Sequence, residues 1–256
     1  MNKKKILLIG GAGFIGFHLA KGLLEKSYEV VIVDKEKGID ANNKNQLKEI
    51  FEKEKPDTVF HLAGAIGLKQ GNGDSGVERS KIIVDLCRKH RAKLIFFSSG
   101  GAIYSDPESE YAKANLEIEK IIKESEIKNV ILRLSNVYGP GQWESGIIPQ
   151  IIKGSPKIKG DGSQTRDFIY ISDVIEVAIL AINKEGSFDI GSGESSSINE
   201  IVDIIKKYKS VKPEYLGGKD ISAKPFDIKK TKKDFNWEPK ISLEQGLVKT
   251  IESFKL

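Results

Sequence analysis

Along this chain the apolar residues keep two rhythms in turn. Continuous or nearly continuous runs at Ile6–Ile9, Glu29–Val33, Asp57–His61, Lys93–Ser98 and Asn129–Leu134 have the length and makeup of strands buried on both faces. Between them the apolar residues return every three or four positions: Phe14, Phe17, Leu19, Leu23 and Leu24, then Ile82, Ile83, Leu86 and Cys87. That spacing predicts helices over 14–25, about 43–53, 80–89 and from about Tyr111 onward. Strands alternating with helices imply an α/β protein: a parallel, doubly wound sheet with right-handed crossovers and ligands at the carboxyl ends of its strands. From Gln142 the alternation becomes irregular. The predicted division is a sheet domain, 1–141 plus about 168–192, and a small C-terminal substrate-binding lobe, 142–167 plus about 193–256. Pattern alone places no strand or helix after Gly217.

Composition narrows the partners. The net charge of +5 is carried by lysines spread along the chain, with no dense basic stripe interleaved with aromatics, so nucleic acid is not an expected partner. Cys87 is the single cysteine, which rules out an intramolecular disulfide and a thiolate metal cluster; no metal is expected. No apolar run approaches the ~20 residues that span a bilayer, and Lys3, Lys4 and Lys5 lead straight into the first strand. A cytoplasmic protein with no membrane partner is the expectation. Arginine is scarce, with Arg79, Arg88, Arg91, Arg133 and Arg166 the whole set.

The densest chemistry lies where the first strand meets the first helix. Gly10, Gly13 and Gly16 follow the strand at three-residue spacing. Gly10 allows a tight turn, Gly13 lets backbone approach a pyrophosphate, and Gly16 lets helix and strand pack closely. Phe14, Ile15 and Gly16 then open a helix whose N–H groups and positive dipole end suit phosphates. Asp34, roughly twenty residues past the glycines at the end of the second strand, is placed to bond the adenosine ribose hydroxyls and to repel a 2′-phosphate. NAD is expected over NADP. Asp40, in the polar segment that follows, is placed near the adenine.

The spacing Gly-x-x-Gly-x-x-Gly resembles the short-chain dehydrogenase/reductase superfamily, with its Rossmann fold. Gly13-Phe-Ile-Gly16 points to the extended branch, the NAD-dependent epimerase/dehydratase family of nucleotide-sugar enzymes, with UDP-glucose 4-epimerase as the nearest type. Asp57-Thr-Val-Phe-His-Leu-Ala63 resembles that branch's third strand, whose following small residues, here Leu62, Ala63 and Gly64, pass over the cofactor. The run from Gly160 to Val174 resembles the branch's Gly-Asp-Gly-x-x-x-Arg-Asp-Phe-x-x-Val-x-Asp signature. Phe188–Gly193 and Trp237–Gly246 resemble two later motifs, in the family's order. The resemblance covers essentially the whole chain with shortened loops, Gly67–Gly76 among them. Near the place of the family's helix-borne asparagine stand Arg79 and Ser80; His61 reads as a strand-end cap. The resemblance implies NAD as cofactor, a UDP-, GDP- or dTDP-sugar as substrate, and a homodimer through the helices at about 77–90 and 111–125. It also implies Arg166 on the diphosphate and Asn136 on a substrate phosphate.

The chemistry departs from the family at chosen places. There a tyrosine and a lysine one turn later share a helix face above the nicotinamide, and a serine or threonine from the preceding strand end shares the proton. Here Tyr111 matches the tyrosine, and Glu119 matches the acidic residue eight positions on. The lysine position is Asn115, and Lys113 lies about 200° around the helix from Tyr111. The hydroxyl positions are Gly100 and Ala102, leaving Ser98 and Ser99 as the nearest hydroxyls. The resemblance thus implies Tyr111 as acid/base, Ser99 as proton partner and substrate contact, and Asn115 as a ribose contact. The family's dehydratases carry an Asp-Glu pair where this chain has Gly101 and Ala102, and its decarboxylases a glutamate at the Ala102 place, so both chemistries are excluded. Three readings remain: a 4-epimerase-like oxidoreductase/isomerase, placed first; a protein that binds NAD and a nucleotide sugar without turnover; and an NADH-dependent 4-keto-sugar reductase.

Overall fold

A computed structural model describes residues 3–63, 76–218 and 220–254. It divides into two compact units, 1–133 with 175–188, and 134–174 with 189–256. Gly64 and the greater part of the Gly67–Gly76 loop lie outside the described residues.

The first unit is the doubly wound sheet. Its elements run β1 (Lys5–Ile9), α1 (Phe14–Glu25), β2 (Glu29–Val33), α2 (Lys44–Glu54), β3 (Thr58–His61), α3 (Val77–His90), β4 (Lys93–Ser99), α4 (Gly100–Ser105), α5 (Glu110–Glu124) and β5 (Asn129–Leu134). The greater part of helix α6 (Ile171–Leu180) and of strand β6 (Gly186–Ile190) completes it. The six strands form a parallel sheet in the order β6-β5-β4-β3-β1-β2. Strand β1 pairs with β2 on one side, Ile9 opposite Val33, and with β3 on the other, Ile9 opposite His61. Strand order therefore reverses at β1, and the crevice at its carboxyl end is where such sheets bind ligands.

Residue choice explains these elements. Ile6, Leu7, Leu8 and Ile9 are wholly buried, each contributing roughly 1.5–3 kcal/mol by leaving water. On one face Leu7 and Ile9 join a core with Leu47 and Phe51 of α2, Ile83 and Cys87 of α3, and Ile118 and Ile122 of α5. Asn43 caps α2, its side-chain oxygen accepting from the amides of Asn45 and Gln46; Ser109 caps α5 by accepting from Ala112 N at 3.2 Å. Among the described residues no helix is long and apolar enough to cross a membrane.

The second unit is built from very short paired strands. Asn136–Tyr138 runs parallel to Phe168–Tyr170, Thr165–Arg166 antiparallel to Ser196–Ser197, and Lys157–Ile158 parallel to Glu214–Tyr215. Asp167, almost wholly buried, stitches them together. It accepts from Ser135 Oγ, from the backbone and hydroxyl of Ser192, and from the amides of Gly193 and Phe226 at 2.7–3.1 Å. Helices Ile198–Lys206 and Leu243–Ser253 pack in this unit, the latter opened by a capping box of Ser242 and Gln245.

Candidate functional site

Three glycines shape the turn from β1 into α1, each for its own reason. Gly10 has φ +84°, in the left-handed region, and a Cβ there would lie 3.0 Å from Ala63 N. At Gly16 a Cβ would lie 2.6 Å from both the Gly10 carbonyl oxygen and Gly11 Cα, so only glycine lets α1 approach the turn this closely. Gly13 is different. Its backbone is extended, φ −69° and ψ 173°, and a Cβ would meet nothing nearer than Gly10 O at 3.5 Å. Packing within the protein does not demand glycine at 13, which leaves its backbone open to the close approach of a pyrophosphate. Helix α1 begins there with no side-chain cap and no acidic residue in its first turn, so no side chain of its own offsets the positive end of its dipole. Phe14 is buried, its ring edge-on to His18 at 5.7 Å, and Ile15 is half-buried.

Asp34 closes the other side of the turn. Its Oδ2 accepts from Ala12 N at 3.0 Å and its Oδ1 from Glu36 N at 3.2 Å, while Gly10 N donates to Val33 O at 2.9 Å. Each carboxylate oxygen has more than one acceptor site, so ribose hydroxyls can still bond it. Asp40 accepts from Asn42 N at 2.9 Å and faces the Lys35 ammonium at 3.3 Å. Leu62 N donates to Ile9 O at 2.9 Å, carrying the ladder past His61, and Ala63 packs on Gly10. An open cradle at Gly13, an uncapped helix start and a carboxylate at the β2 exit together fit a dinucleotide with an unphosphorylated 2′-hydroxyl.

Tyr111 sits in the first turn of α5, half-buried against the core that contains Val77, Ile83 and Ala114. Asn115, one turn on, is almost wholly buried, and its amide nitrogen donates to the Tyr111 carbonyl at 2.8 Å. One of its two amide N–H groups is thereby spent on its own helix. Lys113 is exposed and pairs with Glu108 at 3.3 Å. Ser98 donates to the buried Glu119 at 2.8 Å, while Ser99 caps α4 by accepting from Ala102 N at a long 3.4 Å. Helix α4 itself is absent from the sequence reading: Gly100, Gly101 and Ala102 are helical positions.

Glu119 anchors a network that sequence reasoning did not find. Arg133 at the end of β5 grips it with two nitrogens at 2.8 and 2.6 Å, and Lys123 adds a contact at 3.1 Å. Burial pushes the Glu119 pKa up, but the bonds from Arg133 and Ser98 and the Arg133 charge outweigh it and hold the carboxyl below its ordinary value. Arg133 also donates to the Tyr104 phenol at 3.2 Å. The scarcity of arginine was the available signal. His61 is fully buried, its Nε2 2.8 Å from Ser80 Oγ. Ser80 spends its own proton on Gly76 O, so the His61 Nε2 carries the hydrogen. Burial, then the Arg79 charge, push the His61 pKa down to about 3.

Arg166 and Asn136, the residues expected on the substrate side, belong to the second unit. The Arg166 fork faces Asp220, with both carboxylate oxygens 3.1 Å from Nη2. Asn136 donates its side-chain amide to Asp167 O at 3.1 Å. Beside Asp220 a cavity of about 550 Å³ is lined by Gly160, Asp161, Gln164, Tyr215 and Gly217, a size that takes a nucleoside.

Sheet, turn and tyrosine-bearing helix define the class, an α/β dinucleotide-binding protein of the short-chain dehydrogenase/reductase type. The chain belongs to the NAD-dependent epimerase/dehydratase family, whose model matches residues 6–191. This is a family of enzymes, and its cofactor is NAD. The chain is 33% identical to a putative UDP-glucose 4-epimerase of Methanocaldococcus jannaschii, with 98% of each covered. That alignment runs over 303 positions against 256 residues here, so the relative carries segments this chain lacks. Among solved structures it is similar to a Thermotoga maritima UDP-glucose 4-epimerase with UDP-glucose (TM-score 0.87, 30% identity, 98% of each chain). A Thermus thermophilus UDP-glucose 4-epimerase in complex with NAD gives a TM-score of 0.86 at 25% identity, covering 98% of this chain and 99% of that one.

Proposed function

We propose that this protein is a nucleotide-sugar 4-epimerase-like enzyme working with an altered acid–base set. The observation that carries the reading is Tyr111 in the first turn of α5 with Glu119 two turns on, gripped by Arg133, in the family's register. NAD, when bound, supplies a reversible hydride acceptor for one sugar carbon. Gly13 and the start of α1 hold its pyrophosphate, and Asp34 holds the adenosine ribose. The Tyr111 phenol takes the proton from the C4 hydroxyl and returns it after the ketose has turned over. Ser99 is the hydroxyl assigned to share that proton, and Asn115 offers its carbonyl oxygen and its second amide N–H to a ribose. Arg166 and Asn136 hold the diphosphate end of a UDP-, GDP- or dTDP-sugar, with the nucleoside in the cavity beside Asp220.

The specific observation favouring a second reading is the Asn115 amide. With a neutral amide at this place, one of its N–H groups bonded to the Tyr111 carbonyl, and no lysine, the same site suits a protein that holds NAD and a nucleotide sugar without turnover. Incubation with UDP-, GDP- and dTDP-sugars and a trace of NAD, followed by NMR of the sugar ring, separates the two. The epimerase reading expects a C4 epimer from at least one sugar with no net NADH. Saturable binding of sugar with no epimer from any would leave the binding reading.

A further inference from the structure

Arg79, in the first turn of α3, is a charged side chain with 6% of its surface exposed. Burying a guanidinium is costly unless its donors are bonded, so the bonds it makes are informative. Its Nε donates to the Ala63 carbonyl at 2.8 Å, and its Nη1 donates to Asn42 Oδ1. Those two acceptors stand on different strand exits. Ala63 lies two residues beyond β3 and packs directly on the glycine turn, close enough that a Cβ at Gly10 would sit 3.0 Å from its nitrogen. Asn42 lies in the segment between β2 and α2, where its amide donates to Asp40 Oδ1 at 2.9 Å. One side chain therefore ties the wall that carries Asp40 to the wall that packs on Gly10. A lysine, with one nitrogen, has no such two-pronged reach.

We propose that Arg79 is a positioning residue for the adenosine half of the cofactor: it fixes the separation of the β2 and β3 exits and so sets affinity for the ADP-ribose portion. The inference rests on the NAD site at the Gly10–Gly16 turn. Asn42 is exposed, so in Asn42→Ala water takes the place of its oxygen on Arg79 Nη1, and the prong is lost with little cost to the fold.

The test is calorimetric titration of the full chain with ADP-ribose, alongside thermal melting without ligand. Arg79→Gln is expected to weaken ADP-ribose about tenfold, Arg79→Lys to restore part of that loss, and Asn42→Ala to weaken binding about threefold at an unchanged melting temperature. The double variant should lose no more than Arg79→Gln alone, because both changes cut the same tie. A purely structural Arg79 would lower the melting temperature and leave the affinity of Asn42→Ala at the wild-type value; that result overturns the inference, and it is decisive even if Arg79→Gln fails to fold. Wild-type protein that binds neither NAD nor ADP-ribose would instead overturn the cofactor site itself, and this inference with it.

Discussion

Asn115 is the residue on which the proposed chemistry turns. In the family's arrangement a cation stands one turn from the phenol; here a buried amide stands there and bonds the Tyr111 carbonyl. Asn115→Lys restores a charge beside the phenol and is expected to move the alkaline limb of the pH–rate profile toward neutral. An unmoved limb would mean that position 115 does not face the reacting oxygen. His61 gives a second prediction, on stability. Its folded pKa, about 3, lies below its ordinary value of 6.5, so the unfolded chain binds the proton more readily. The stability present above pH 6.5 is therefore lost as pH falls toward 3, by up to ~1.4 kcal/mol per pH unit. Denaturant melts between pH 7 and 5 should show that slope in the wild type and a flatter one in His61→Gln; equal slopes would contradict it. Glu119 adds acid sensitivity lower down, its depressed pKa meaning stability held above about its ordinary 4.5 and lost as pH falls through the folded value.

At the scale of elements, the β1–α1 turn separates what packing needs from what a ligand needs. Gly16→Ala drives a Cβ to 2.6 Å from backbone atoms and is expected to destabilise the protein by ~1–3 kcal/mol or more. Gly13→Ala meets only ordinary contact, so its melting temperature should stay at the wild-type value while NAD affinity in a calorimetric titration falls at least ~10-fold, a loss of close backbone approach. A Gly13→Ala protein that binds NAD normally would move the pyrophosphate off this turn. Elements such as these were legible because their signals are local: α1 and β2 occupy the residues their apolar spacing assigns. Helix α3 starts at Val77, three residues earlier than the apolar spacing indicates, because Arg79 and Ser80 in its first turn are buried through hydrogen bonds rather than through hydrophobicity. Helix α4 escaped because Gly100 and Gly101 are poor helix formers, held here by the Ser99 cap.

On the scale of the whole molecule, the sheet unit could be read from the sequence and the second unit largely could not. Strands of two or three residues such as Lys157–Ile158 and Glu214–Tyr215 carry no period, and each finds its partner tens of residues away. Arg166 was visible through its motif, but its partner Asp220, fifty-four residues on, was not. The glycines of the β1–α1 turn are contiguous in sequence, whereas the Arg166–Asp220 pair is one only the folded chain supplies. In the proposed reaction Tyr111 takes the proton of a sugar-nucleotide alcohol as NAD is reduced. Single-turnover absorbance of NAD-loaded protein mixed with UDP-, GDP- and dTDP-sugars tests it most directly. A transient NADH signal is expected with at least one sugar in the wild type, abolished in Tyr111→Phe with NAD affinity intact. An undiminished signal in Tyr111→Phe, or tight sugar binding with no signal from any sugar in the wild type, would contradict it.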